Sequence, residues 1–133
     1  MCPTPAARFL FVVQMSVDAE HDREVQSAYE DHVRRLVGVP GVLKATRTVT
    51  LPGAKARLAG SAIELPSGET ADYVTLYELE SPEVLMSDEW SAAVDAGGWA
   101  RDARRLTKNR RHQIVRVVQS VQGFGQEPDA AAQ

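Results

Sequence analysis

Arg8-Phe9-Leu10-Phe11-Val12-Val13-Gln14-Met15-Ser16-Val17 is apolar on both parities of an extended chain. Side chains of a strand alternate between its two faces. Phe9, Phe11, Val13 and Met15 therefore share one side, and Leu10 and Val12 share the other. The stretch Gln113 to Gln122 repeats the pattern, with Val115, Val117 and Val121 on one parity and Ile114 and Val118 on the other. Strands that are apolar on both sides need cover on both faces of their sheet. These two stretches thus set what the remaining residues must supply.

The residues between them fall into elements by period. Ala19 to Val37 predicts an amphipathic helix. At about 100° per residue, Val25, Ala28, Tyr29, His32, Val33 and Leu36 share its apolar face. Pro40-Gly41 is a turn. Val42 to Leu51 alternates, with Leu43, Ala45, Val49 and Leu51 on one parity and Lys44, Thr46, Thr48 and Thr50 on the other. Pro52-Gly53 ends that strand, and the stretch to Glu69 reads as a long loop or a partly formed hairpin arm. Asp72 to Leu79 is a third strand. Ser81-Pro82-Glu83 starts a helix with a capping serine and a first-turn proline. Ser87-Asp88-Glu89 is a second cap, Gly97-Gly98 interrupts again, and Trp99 to Leu106 is a further helical piece. The predicted class is α+β, in the order β-α-β-β-α-β of a ferredoxin-like sheet with helices on one face. A chain of 133 residues is one domain by length, bounded here as residues 8–122. Residues 1–7 and 123–133 read as flexible tails. Nothing in the chain remains to cover the second sheet face, so a second copy is expected to cover it as a homodimer.

Composition narrows the partners. A net charge of -3 argues against general attraction to nucleic acid or to membrane surfaces. No stretch is long and apolar enough to span a bilayer, and the apolar run Phe9 to Val13 is too short for a signal sequence. The single cysteine, Cys2, excludes an intrachain disulfide, so a reducing cytoplasm is the expected compartment. His21, His32 and His112 lack metal-ligand spacing, and there is no phosphate-binding glycine loop, so no structural zinc and no cofactor is expected, while a single mixed His and carboxylate metal site stays open. The segment Arg101 to Arg116 carries seven Arg or Lys against Asp102 alone. It reads as a solvated helix end and loop, or as an attractor of an anionic substrate. RNA-recognition domains share the same element order. The strand Asp72 to Leu79 lacks their Gly-rich aromatic signature, and the acidic balance opposes that reading.

The candidate site residues stand out by facing the wrong way. His32 lies mid-stripe on an apolar helix face, where a polar ring must find a partner or look into a pocket. Arg47 is the one charged residue on the apolar parity of its strand; it either snorkels and pairs or anchors an oxyanion or carboxylate. If the two converge, a neutral imidazole serves as general base and the guanidinium holds a carboxylate, enolate or phenolate oxygen. Tyr29 sits one turn before His32 and joins the catalytic candidates. Tyr73 and Tyr77 share a strand parity, and with Trp90 and Trp99 they are candidate substrate-binding walls. Packing is the alternative role for each aromatic residue.

Tyr29-Glu30-Asp31-His32, Val39-Pro40-Gly41-Val42 leading to Arg47, Tyr73 to Leu79, Ser81 to Leu85, and Trp99 after a glycine occur in one order. That order resembles the dimeric α/β-barrel superfamily and, within it, the EthD-like group. The likeness covers about residues 8 to 121. Asp31-His32 stands where that group usually has a Glu-His pair, and Gly53 to Glu69 lies outside the resemblance. The resemblance implies two ferredoxin-like protomers packed sheet against sheet. It also implies an apolar pocket between each sheet and its helices, for small hydrophobic or aromatic molecules. Its members include cofactor-independent isomerases, cyclases and monooxygenases. The expected function is proton transfer beside a carbonyl, as in an isomerase, cyclase or dehydratase/lyase. A cofactor-free monooxygenase or a non-catalytic small-molecule-binding or accessory protein is the alternative.

Overall fold

The computed structural model describes residues 9–66 and 71–124. The expected tail 1–7 lies outside the described residues, as does 123–133 apart from Gly123 and Phe124. Four strands form one antiparallel sheet in the order β2-β5-β1-β6. They are β1 (Phe9–Val17), β2 (Val42–Val49), β5 (Ala71–Leu79) and β6 (Thr107–Arg116). The stretch after Pro52-Gly53 forms a separate hairpin arm of β3 (Lys55–Leu58) and β4 (Ser61–Glu64). Helix α1 (Asp22–Leu36) follows a single 3-10 turn at Ala19–His21. The α+β class and the helices on one face of the sheet are as the sequence predicts.

Helix α1 docks through the stripe read from its period. Val25, Tyr29, His32 and Leu36 are buried. They meet Val13, Met15 and Val17 of β1 and Tyr77 and Leu79 of β5 in the core. The second crossover is not one helix. It runs as a 3-10 turn Pro82–Met86, a seven-residue α2 (Asp88–Val94), a π-helical turn Trp99–Ala103 and a 3-10 turn Arg104–Leu106. Two serines impose the first breaks. Ser81 Oγ accepts from Glu83 N–H at 3.2 Å, and Ser87 Oγ accepts from Trp90 N–H at 3.1 Å, so each starts a new helical piece.

The last strand differs from its expected bounds. It begins at Thr107 and ends at Arg116, inside the basic run, rather than spanning Gln113 to Gln122. Val118, Val121 and Phe124 are exposed beyond it. The high β-propensity of the valines pointed past the true end. The strand is instead fixed by pairing with β1, where Leu10 faces Val115 and Val17 faces Thr107. A bulge shifts that register between Gln14 and Ser16, opposite Asn109, whose φ is 53°. Asparagine tolerates this left-handed conformation better than most residues. A one-residue bulge exchanges the faces of all side chains beyond it. Here it places His112 opposite Val13, on the helix side.

The turn before β2 depends on Gly41. Its φ is 92°, and a Cβ there would lie 2.5 Å from Val84 Cγ2. Gly60, at the tip of the arm, has φ 83° but open space around it. We expect Gly41→Ala to lower unfolding free energy by about 2–4 kcal/mol, from backbone strain plus a clash. Gly60→Ala should cost only about 1 kcal/mol, from strain alone. Urea denaturation of both variants checks this; equal losses would contradict the packing at Gly41.

Candidate active site

A cavity of about 350 Å³ opens between the sheet and its helices. That is within the size of small-molecule sites, roughly 300–1,000 Å³. The floor is β1, through Phe11, Val13 and Met15, with Tyr77 of β5. Helix α1 supplies Tyr29, His32 and Leu36, and the broken second crossover supplies Trp90, Val94, Trp99 and Arg104. Arg110 and His112 of β6 complete the lining. The cavity exists because the second helical layer is segmented. The π-helical turn that presents Trp99 is a rare geometry, often found beside functional sites.

His32 is 6% exposed, and its Nδ1 finds no hydrogen-bond partner among the described residues. The imidazole stacks on Trp99 at 5.3 Å between centroids and tilts against Tyr29 at 5.6 Å. Burial, with the Arg104 charge adding to it, lowers its pKa to about 4. The ring is therefore neutral at pH 7, with a basic nitrogen in an apolar, aromatic setting. The neighbouring carboxylate does not orient it. Asp31 is exposed and accepts from Arg35 Nε at 2.9 Å, an i,i+4 pair on the outside of α1.

Tyr29 and Tyr77 meet hydroxyl to hydroxyl at 3.2 Å. Burial raises both phenol pKa values, so both stay protonated. Phe11 packs between Tyr77, the edge of Trp90 and His112, with centroids 5.9, 5.7 and 5.8 Å away. Aromatic rings thus make up most of the wall.

Of the residues singled out in the sequence, His32, Tyr29, Tyr77, Trp90 and Trp99 come together in the cavity lining. Arg47 and Tyr73 do not. Arg47 faces the helices, opposite Thr75, but β2 is an edge strand with β5 between it and β1. Its exposed guanidinium lies 5.4 Å from the Tyr29 ring centroid and donates to Gln26 Oε1. It touches the far side of the tyrosine that walls the cavity. Tyr73 donates to Asp22 Oδ1 at 2.6 Å, and its pKa is pushed up to about 12 by burial and that carboxylate. Arg104, Arg110 and His112 line the cavity without having been singled out. The basic run that contains them was the only signal. Among the described residues no three His, Cys, Asp or Glu side chains gather as a metal site would require.

Two solved structures share this architecture. A variant of SnoaB, a cofactor-independent oxygenase from Streptomyces nogalater, superposes with a TM-score of 0.55 at 13% identity. The match covers 86% of this chain and 97% of that one. A Bacillus cereus protein assigned as an antibiotic biosynthesis monooxygenase superposes with a TM-score of 0.52 at 16% identity, covering 89% and 98%. No family model matches the sequence, and no curated protein sequence does. Among the described residues no helix is long and apolar enough to cross a membrane. At these identities the likeness shows the protomer fold alone.

The depressed pKa of His32 links stability to pH. Below pH 6.5 the unfolded chain takes up a proton that the folded chain refuses until about pH 4. This contribution is present in full above pH 6.5 and is lost as pH falls towards 4, by about 3 kcal/mol. Urea titrations of wild type and His32→Gln should diverge in slope across that window. Parallel curves would show that His32 titrates normally.

Proposed function

We propose that the protein is a cofactor-independent oxygenase of a small aromatic carbonyl or phenolic compound, with His32 as general base. The carrying observation is the buried, neutral imidazole whose Nδ1 has no hydrogen-bond partner among the described residues, stacked on Trp99 in the lining of an aromatic cavity. The fold shared with SnoaB, a cofactor-independent oxygenase, supports the choice of chemistry. The EthD-like likeness of the sequence remains a proposal at the level of the subgroup.

The chemistry follows from the setting. His32 removes a proton from a methylene carbon conjugated with the carbonyl of the bound ring, leaving a delocalised enolate. The low-dielectric walls leave the charge on the substrate rather than in solvent hydrogen bonds, which raises its reducing power. The enolate electrons pass to dioxygen, a C–O bond forms, and the imidazolium returns its proton to the peroxide. Loss of water then converts the former methylene to a carbonyl: one CH2 and one O2 give one C=O and one H2O. Tyr29 and Tyr77, both protonated, are the hydroxyl donors available to the developing oxyanion. Isomerisation or cyclisation needs the same first proton transfer and differs in what the enolate then meets. A non-catalytic binding protein would use the cavity and leave His32 idle.

We further infer that the working form is a homodimer. The helix-free face carries Leu10 and Val12 of β1, Val74 and Leu76 of β5 and Val115 of β6 on adjacent registers. This strip is half-buried, and no helix of the described chain covers it. Light scattering at micromolar concentration should give twice the chain mass, and Val12→Lys should give the single mass. A wild-type monomer would remove this inference.

Anthrone, a tricyclic ketone with an acidic methylene, is a suitable probe reaction. Oxygen uptake by the wild type should be lowered roughly 10²- to 10⁴-fold in His32→Gln. A base acts when deprotonated, so kcat/KM should rise with pH through about 4 and be level at neutrality. Wild-type oxygen uptake unaffected by the substitution would reject His32 as the base; ring rearrangement without oxygen uptake would favour the isomerase reading.

A further inference from the structure

The charges around the cavity run against those of the chain. The protein carries a net charge of -3. Yet the ionisable groups of basic type in the lining are Arg104, Arg110, His32 and His112, and among the described residues no carboxylate joins them. Arg110 and His112 enter the lining together from β6, and Arg104 enters it from the crossover. Arg104 and Arg110 both act on His112, and Arg104 also acts on His32. Arg104 is held in place: its Nη2 donates to Val94 O at 3.1 Å and lies 3.7 Å from Asp95 Oδ1. Arg110 forms no ion pair among the described residues. The bulge at Asn109 changes the register of β6 just where Arg110 and His112 enter the lining. Without it, the alternation set by Lys108 opposite Ser16 would turn Arg110 to the helix-free face.

We infer that the cavity takes an aromatic carboxylate, with its ring among the aromatic walls and its carboxylate between Arg104, Arg110 and His112. An arginine fork matches a carboxylate in two parallel hydrogen bonds. Arg104 is pre-positioned by its carbonyl contact, and Arg110 is free to close on the ligand. The opposite end of such a ligand reaches towards Trp99 and His32, so the acid group sets which carbon meets the base. This assignment rests on the cavity being the substrate site proposed above.

Calorimetric titration with 2-naphthoate and with its neutral isostere 2-naphthamide, at low ionic strength and pH 7.5, tests it. Wild type should bind the acid at least about 10-fold more tightly than the amide, as expected for charge-assisted hydrogen bonds. Arg110→Gln should remove most of that preference while amide affinity stays within about twofold, and Arg110→Lys should restore part of it. Arg57→Gln, on the distant arm, should change neither. Equal affinity for the two probes, no naphthoate binding at millimolar concentration, or a full preference retained in Arg110→Gln would each overturn the assignment. A protein that prefers naphthoate but takes up no oxygen with anthrone keeps this inference and loses the oxygenase reading. Oxygen uptake without acid preference does the reverse.

Discussion

The packing of one helix stripe on two central strands is the contact from which the rest of the molecule follows. Helix α1 is the only long helix among the described residues. It buries Val25, Tyr29, His32 and Leu36 against β1 and β5. A second helix of similar length would close the remaining sheet surface with aliphatic side chains. The serine caps at Ser81 and Ser87 and the glycines at 97 and 98 prevent that. They divide the crossover into short pieces that reach over the sheet with Trp90, Trp99 and Arg104. The space left between these pieces and α1 is the cavity. His32 is thus exposed to the cavity by the failure of the second layer to form one continuous helix.

The same geometry sets the electrostatics. Large rings exclude water, which weakens the charged form of any histidine placed among them. The guanidinium of Arg104 pushes in the same direction. A neutral imidazole with an unpaired nitrogen is an uncommon group to leave in a protein interior, where buried polar atoms are nearly always satisfied. A core histidine selected for packing would be expected to hold a backbone carbonyl or a carboxylate. Asp31, adjacent in sequence, points outward to Arg35 instead. The unpaired nitrogen and the surrounding basic groups are the two observations on which the proposed ligand site rests.

Much of the architecture was legible in the residue pattern. The period of α1 places His32 mid-stripe, and the caps at Ser81 and Ser87 mark the divided crossover. The two-sided apolar pattern of β1 marks a sheet with an uncovered face. The start of β6 was not legible. Lys108-Asn109-Arg110-Arg111 has no apolar alternation, and only long-range pairing with β1 makes it a strand. The valines at 117, 118 and 121 have strand propensity but no partner strand among the described residues. The entry of Arg110 and His112 into the cavity lining was hidden for the same reason, because a bulge at Asn109 decides which way they face. Parity set Arg47 among apolar neighbours but left open which side of the sheet they face. Its distance from the cavity depends on strand order, which parity does not encode: β2 is an edge, and Arg47 packs on the outer side of Tyr29.

The central claim is that His32 is a neutral base facing a ligand space, and not a packed core residue. Nitrogen-15 NMR of the histidine side chains, recorded across pH with and without bound 2-naphthoate, tests this most directly. The account predicts that the His32 ring stays neutral until about pH 4, and that ligand shifts its ring nitrogens while those of His21, outside the cavity, are unmoved. A His32 ring that titrates near 6.5, or one whose nitrogens are insensitive to a ligand known to bind, would contradict it.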